Sequence, residues 1–293
     1  IGSAGLGQMP YLGRSINIES SYSNVDIQTN NIVGGLVGHN WMWGKSGNVR
    51  DGIWITDSYY AGRVSNLSNA GGLVGSVWAR RGATNELKLS FVNAYWDDSE
   101  GSLKRSVGRE VYGFLGGFDL ESDVTPILLP NGRLRAAVTS QGPSANAFNQ
   151  ATYAGFDFEN DWVMIEGQTR PIHRWEYNRK ITRPNQLQLI ALDPTAEYTL
   201  GADIDFGNVF NSGTDTAGTV WADGFVPIGG VGSIDGTAVG AFTGSIVGNG
   251  HRIDGIVLDA SRSVTNGLLG DVSGGTLSNV TLANANIQTP GHN

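Results

Sequence analysis

Three groups of carboxylates in this sequence are spaced for chemistry. Trp96-Asp97-Asp98-Ser99-Glu100 crowds three acidic side chains into one short string. Such a string suits calcium, which takes about six to eight oxygen ligands, or an acid/base pair of the kind that hydrolyses glycosides. The same residues also make a solvated turn at the end of a repeat. Asp203 and Asp205 flank Ile204 at strand spacing, so both carboxylates share a face. They read as calcium ligands or an acid pair, or else as corner residues that accept backbone amides. Asp157, Glu159 and Asp161 alternate in the same way and read as a cation site or a wet strand face. Calcium is the one cofactor these residues admit, and nothing requires it.

Other chemistries are poorly supplied. His39, His173, His251 and His292 are scattered, and none forms the i, i+4 pair of a zinc protease. No Gly-x-Ser-x-Gly elbow and no Gly-x-x-x-x-Gly-Lys phosphate loop occurs. Cysteine is absent, which removes thiolate nucleophiles, disulfides and thiolate-bound metals. The aromatic residues are more suggestive. Trp41, Trp43, Trp54, Tyr59, Tyr60, Trp78, Phe91, Tyr95 and Trp96 gather in one third of the chain. Exposed, they would stack on sugars or contact proteins, with Trp41, Trp43 and Trp54 the best-placed ligand contacts. Buried, they would fill a β interior.

The elements that position these groups repeat. Gly34-Gly35-Leu36-Val37-Gly38 returns as Gly71-Gly72-Leu73-Val74-Gly75, and Ser21-Tyr22 returns as Ser58-Tyr59 at the same offset. A weaker copy is Asn266-Gly267-Leu268-Leu269-Gly270, followed by Leu277-Ser278-Asn279-Val280. Ser90-Phe91-Val92-Asn93-Ala94-Tyr95-Trp96 reads as a further copy of the Ser-aromatic string, and Ala4-Gly5-Leu6-Gly7 as a degraded Gly-Leu string. Each repeat holds short β-branched or aromatic runs such as Gly52-Ile53-Trp54-Ile55-Thr56, broken by Gly, Asn, Asp and Ser. Several short strands per period predict an all-β solenoid. Its Leu36/Val37, Leu73/Val74 and Leu268/Leu269 pairs stack inward, and its paired glycines take corners at positive φ.

The Gly-Gly-Leu-Val-Gly string with Ser-Tyr-x-x-Gly-x-Val resembles the GLUG repeat of bacterial surface proteins. That repeat occurs in filamentous-haemagglutinin-like adhesins and in non-catalytic regions of some secreted peptidases. Ala94-Tyr95-Trp96-Asp97 and the stretch from Ala154-Gly155-Phe156 to Trp175 are similar to segments that follow such repeats. Tyr198-Thr199-Leu200-Gly201, Pro227-Ile228-Gly229 and Gly248-Asn249-Gly250-His251 are similar to a fresh array. The resemblance implies a right-handed parallel β-helix and supplies no catalytic residue.

Four segments are expected: a repeat array over 1–96, an irregular segment over 97–178, a linker over 179–197, and a second array over 198–293. Within the irregular segment, residues 151–178 are expected to cap the first array with Trp162 and Trp175 buried. The basic stretch ending in Pro184 should be exposed.

Of 293 residues, 43 are Gly and 40% are hydrophobic, enough for a core and without the three-residue period of collagen. The net charge of −8 argues against nucleic acid as a partner, and no apolar run is long enough to span a membrane. The start at Ile1 and the lack of cysteine suggest a processed piece of a larger bacterial protein, secreted or on the cell surface. The leading reading is a non-enzymatic structural or adhesive stalk. Its partners would be a host or matrix glycan or protein and neighbouring modules of the same protein. The alternative is a carbohydrate-binding or polysaccharide-cleaving β-helix module.

Overall fold

A computed structural model describes residues 3–4, 15–28, 31–42, 51–64, 70–80, 87–96, 107–113, 145–153, 155–207, 209–210, 218–259 and 265–288. The chain is all-β, with small sheets, one short α-helix and a few 3₁₀ turns among the described residues. It divides into two compact units, Ile1–Ala147 with Ala151–Phe156 and Phe148–Gln150 with Asp157–Asn293. The division falls inside the segment expected to be irregular.

The first unit contains β1 (Ser3–Ala4), β2 (Ser15–Glu19), β3 (Tyr22–Ser23), β4 (Val33–Gly34), β5 (Val37–Met42), β6 (Asp51–Tyr60), β7 (Ala70–Gly71), β8 (Val74–Arg80), β9 (Leu87–Trp96) and β10 (Val107–Gly113). All their ladders are parallel, and they join equivalent positions of successive repeats. Ile16, Ile18 and Tyr22 lie opposite Ile53, Ile55 and Tyr59. β9 continues this sheet, with Ile55 opposite Phe91 and Tyr59 opposite Tyr95. Val33–Gly34 faces Ala70–Gly71, and Val37 faces Val74. A pitch of one repeat thus brings like residues together, and Ile18, Ile55 and Phe91 form one buried column. β-Branched and aromatic side chains favour these strands because they pack well on a pleated, half-buried surface.

Two expectations change in this unit. Ser90-Phe91 is not the third Ser-aromatic copy, because Ser90 pairs with Trp54 and Phe91 with Ile55. Ala94-Tyr95-Trp96 lies opposite Ser58-Tyr59-Tyr60 instead. The repeat also continues past residue 96: Val107 faces Val74, and β10 follows β8 to its end. The sequence signal was only the dipeptide Val107-Gly108, too short to recognise without its partner strand.

Leu36, Val37, Leu73 and Val74 are buried, as the pattern implied. The glycines beside them work differently from expectation. None of Gly34, Gly35, Gly71 and Gly72 has positive φ. A Cβ on Gly35 would overlap the Tyr60 ring, and one on Gly72 would overlap the Trp96 indole. The second glycine of each pair therefore makes room for an aromatic ring. Positive φ falls instead on Ser20, Asp57 and Asn93, at 41°, 48° and 49°, one in each repeat just before the aromatic strand segment. Asn and Asp tolerate that region better than most residues. Asn93 Nδ2 donates to Asp57 Oδ1 at 2.7 Å, tying two corners together. The next residue explains the serine of the repeat: Ser21 and Ser58 hydroxyls donate to the Glu19 and Thr56 carbonyls.

The second unit contains β11 (Trp162–Val163), β12 (Ile172–His173), β13 (Lys180–Ile181), the helix α1 (Pro184–Gln188), β14 (Glu197–Leu200), β15 (Ile204–Asp205), β16 (Ser233–Ile234), β17 (Thr237–Ala238), β18 (Ser245–Val247), β19 (Arg252–Asp254), β20 (Val257–Asp259), β21 (Thr276–Ser278), β22 (Thr281–Ala283) and β23 (Asn286–Gln288). Parallel sheets run β13-β14-β18-β21, β15-β19-β22 and β20-β23, while β11-β12 and β16-β17 are antiparallel pairs. Tyr198, Ile246 and Leu277 stack in register, as do Ile204, Ile253 and Leu282. Leu268 is buried and Leu269 half-buried, bridged to Ile228.

Residues 179–197, expected to be a linker, carry a short strand, a short helix and a 3₁₀ turn. Lys180–Ile181 is the first strand of a four-stranded sheet, with Ile181 buried. Pro184 starts α1 because its fixed φ and missing N–H suit a first helical turn. Leu187 and Ile190 are buried behind it.

Candidate functional site

The carboxylates of the second unit close corners. Asp203 and Asp205 flank buried Ile204 and both are exposed, as their spacing implied. Asp203 Oδ1 accepts the Arg252 amide at 3.0 Å and faces His251 Nδ1 at 3.1 Å. The backbone hydrogen bond from Arg252, then the His251 contact, hold the Asp203 carboxyl below its usual range. Asp205 Oδ1 accepts the Gly207 amide at 2.7 Å. Asp254 bonds Arg252 and Asn284 at 2.7 Å each. His251 with Asp203 has the arrangement of a base and its orienting carboxylate. Here the same oxygen also fastens the next repeat's backbone, which is a structural use.

Asp157, Glu159 and Asp161 are exposed, but they sit in a turn and not on a strand face. Asp157 Oδ1 accepts the amides of Glu159 and Asn160, and Oδ2 accepts Asn160 Nδ2. Those bonds, the Asn160 side chain first, lower the Asp157 carboxyl's pKa. A turn of this kind needs only the Asp and the three residues that follow. Among the described residues, no group of three or more His, Cys, Asp or Glu could hold a metal ion. Asp97, Asp98 and Glu100 lie outside the described residues, so the first acidic string has no geometry to assess.

Four of the nine aromatic residues are interior. Tyr59, Tyr60, Phe91 and Trp96 are buried, and Tyr95 is half-buried. The Tyr60 hydroxyl lies 3.1 Å from both the Val25 and Arg63 carbonyls. Burial, then Asp26, pushes its pKa well up. Tyr59 and Tyr95 pack with Tyr153 and Phe156, ring centroids 5.2 to 6.0 Å apart. Tyr153 and Phe156 thus pack on the first unit's aromatic strands. Of the proposed ligand contacts, Trp54 is half-buried on β6, and Trp41 takes its place on β5 opposite Trp78. Trp43 lies outside the described residues.

From Asp157 onward the expected cap belongs to the second unit. There Trp162 is buried against His173, ring centroids 4.0 Å apart. Trp175 is not buried. It is 70% exposed and stacks on the His173 ring, with ring centroids 5.3 Å apart and planes 28° from parallel. The tight 3₁₀ turn Arg174–Glu176 carries it to the surface, a local geometry the apolar pattern could not convey. His173 is buried, and loss of solvation lowers its pKa.

Two buried polar groups escaped the sequence reading. Gln188 Oε1 accepts Trp221 Nε1–H at 2.7 Å and the Val226 amide at 2.9 Å, while Nε2 donates to the Val226 carbonyl at 3.1 Å. Arg170 Nε donates to the Thr219 carbonyl at 3.1 Å, with its guanidinium 4.8 Å from the Phe148 ring centroid. Both hold the 218–226 segment to the rest of the second unit. No helix among the described residues is long and apolar enough to cross a membrane.

No family model and no solved structure matches the chain. A stretch of 107 residues is 39% identical to Halomucin from Haloquadratum walsbyi, covering 34% of this chain and 1% of that protein. The chain therefore matches a small part of a much longer protein.

Proposed function

We propose that this chain is a non-enzymatic structural and adhesive segment of a large secreted or cell-surface protein. In this reading it is a stalk built as a right-handed parallel β-helix of the GLUG-repeat kind. The observation that carries the reading is the parallel, in-register pairing of successive repeats, with Ile18, Ile55 and Phe91 in one buried column. Stacked ladders of this kind give a stiff, extendable body, because each repeat is covered only by its neighbours. The fate of the polar groups agrees: Ser21, Ser58, Asp203 and Asp205 bond backbone or neighbouring corners. The match to a small part of a much longer protein fits a segment of a large assembly. Glycan-array binding run beside a reducing-sugar assay tests the reading. Binding without product is expected, and product released by the purified chain sinks it.

A second reading, a carbohydrate-binding module, is favoured by one side chain. Trp175 presents a ring stacked on a buried neighbour, which suits a sugar face. Loss of glycan retention in Trp175→Ala, with an unchanged melting curve, would select it.

A further inference from the structure

Two strings in the chain have the form Asn-x-Ser/Thr, Asn66-Leu67-Ser68 and Asn279-Val280-Thr281. With any residue but proline in the middle, that form is the acceptor of N-linked glycans, and it serves where it is exposed. Asn66-Leu67-Ser68 lies outside the described residues. Asn279-Val280-Thr281 makes the corner between β21 and β22, with Thr281 the first residue of β22. Asn279 and Thr281 are exposed, and Val280 is half-buried. Val280 Cγ2 lies where a side chain on Gly248 would begin, so the middle of the string packs on the preceding rung.

The exposure belongs to this corner of the coil and not to its height in the stack. One rung earlier, residues 248–251 join β18 to β19, and both of those strands have a neighbour on either side. Asn249, Gly250 and Arg252 are exposed there all the same. A Cβ on Gly250 would meet nothing within 4 Å. The corner asparagines differ in what their amides do. Asn249 Nδ2 donates to the Leu200 carbonyl at 3.0 Å, and Asn284 Nδ2 to Asp254 Oδ1 at 2.7 Å. Asn279 shares their left-handed conformation, with φ 53° beside 53° and 49°. It is held through its backbone, since its carbonyl accepts the Gly250 amide at 3.0 Å. Its Nδ2 donates to no group among the described residues.

We propose that Asn279 is a modification site and carries an N-linked glycan on Nδ2. In the transfer, Nδ2 displaces the diphosphate from C1 of a sugar activated as its diphosphate ester. The N–C1 bond forms, and the C1–O bond breaks. The diphosphate leaves with the electron pair, and Nδ2 gives one proton to a base of the transferring enzyme. The Gly250 hydrogen bond and the packing of Val280 survive the change, because neither uses the Asn279 side-chain amide. The inference rests on the reading of the chain as secreted or on the cell surface.

The test is tandem mass spectrometry of the peptide containing Asn279, taken from the chain as isolated from the cells that make it. Fractionation of the same cells reports where the chain resides. The expected result is a chain outside the cell with sugar mass increments on Asn279. Thr281→Ala should abolish them, because it removes the hydroxyl the acceptor form requires, and Thr281→Ser should keep them. Asn279→Asp should abolish them too, while keeping a residue that tolerates positive φ, so its fold is preserved. An unmodified Asn279 on a chain found outside overturns the glycan and leaves the stalk reading standing. An unmodified Asn279 on a chain kept inside overturns both. Increments that survive Thr281→Ala, or that sit on Asn66 alone, also overturn the proposal.

Discussion

Removing the Gln188 side chain should unfasten the 218–226 segment. One amide satisfies three groups, Trp221 Nε1–H, the Val226 N–H and the Val226 carbonyl, at 2.7, 2.9 and 3.1 Å. Gln188, Trp221 and Val226 are all buried, so the bonds form away from bulk water. A buried polar group left without a partner costs about 1–3 kcal/mol. Three such groups would not add fully, because a water can enter the space an alanine leaves. Gln188→Ala should therefore destabilise the second unit by about 3–5 kcal/mol. Gln188→Leu separates hydrogen bonding from volume: it refills the space, admits no water and leaves the same three groups unmet. It should be at least as damaging. Urea unfolding gives the magnitude, and hydrogen exchange over residues 180–259 against 15–96 tells which unit has weakened. A loss below about 1 kcal/mol in the second unit, or a neutral Gln188→Leu, would refute the reasoning.

Gly72→Ala should destabilise the first unit by about 1–3 kcal/mol, since its methyl overlaps the Trp96 indole. Gly240→Ala is the control: nothing lies near its Cβ position and its φ is not positive, so urea midpoints should hold or rise slightly. Asn93→Ala removes both a residue suited to φ 49° and the bond to Asp57, and should lower stability by about 1–2 kcal/mol in the same assay. His39 and His173 have lowered pKa values in the folded chain through burial. Each therefore contributes stability that is complete above the unfolded value of 6.5 and is lost as pH falls through the folded value, because the unfolded chain takes up the proton first. Melting temperatures should drop between about pH 8 and pH 5, and His173→Gln should flatten that slope for the second unit.

The repeat was legible because stacking leaves a linear record. A residue that packs on its own equivalent one repeat later must be similar to it, so Leu36 and Leu73, or Tyr22 and Tyr59, recur at a fixed offset. The same logic fails once copies degrade. Val107-Gly108 joins the first unit's sheet with two residues of recognisable string, and only its pairing with Val74 exposes it. The Ser-aromatic string misled at Ser90-Phe91 because several frames of a β-rich segment look alike, and backbone pairing selects one.

Composition and spacing by themselves determined the strand class, the repeat period, the inward leucines and valines, and the absence of thiol chemistry. They did so because strand alternation and repeat stacking are short-range rules written into each segment. Only the tertiary structure decided why Gly72 is glycine, since the answer is the Trp96 ring some two dozen residues away. It also decided that Trp162 is interior and Trp175 is not, and that Gln188 clamps Trp221. Each of those outcomes depends on which distant segment arrives alongside, and a side chain's own neighbours in sequence carry no mark of it.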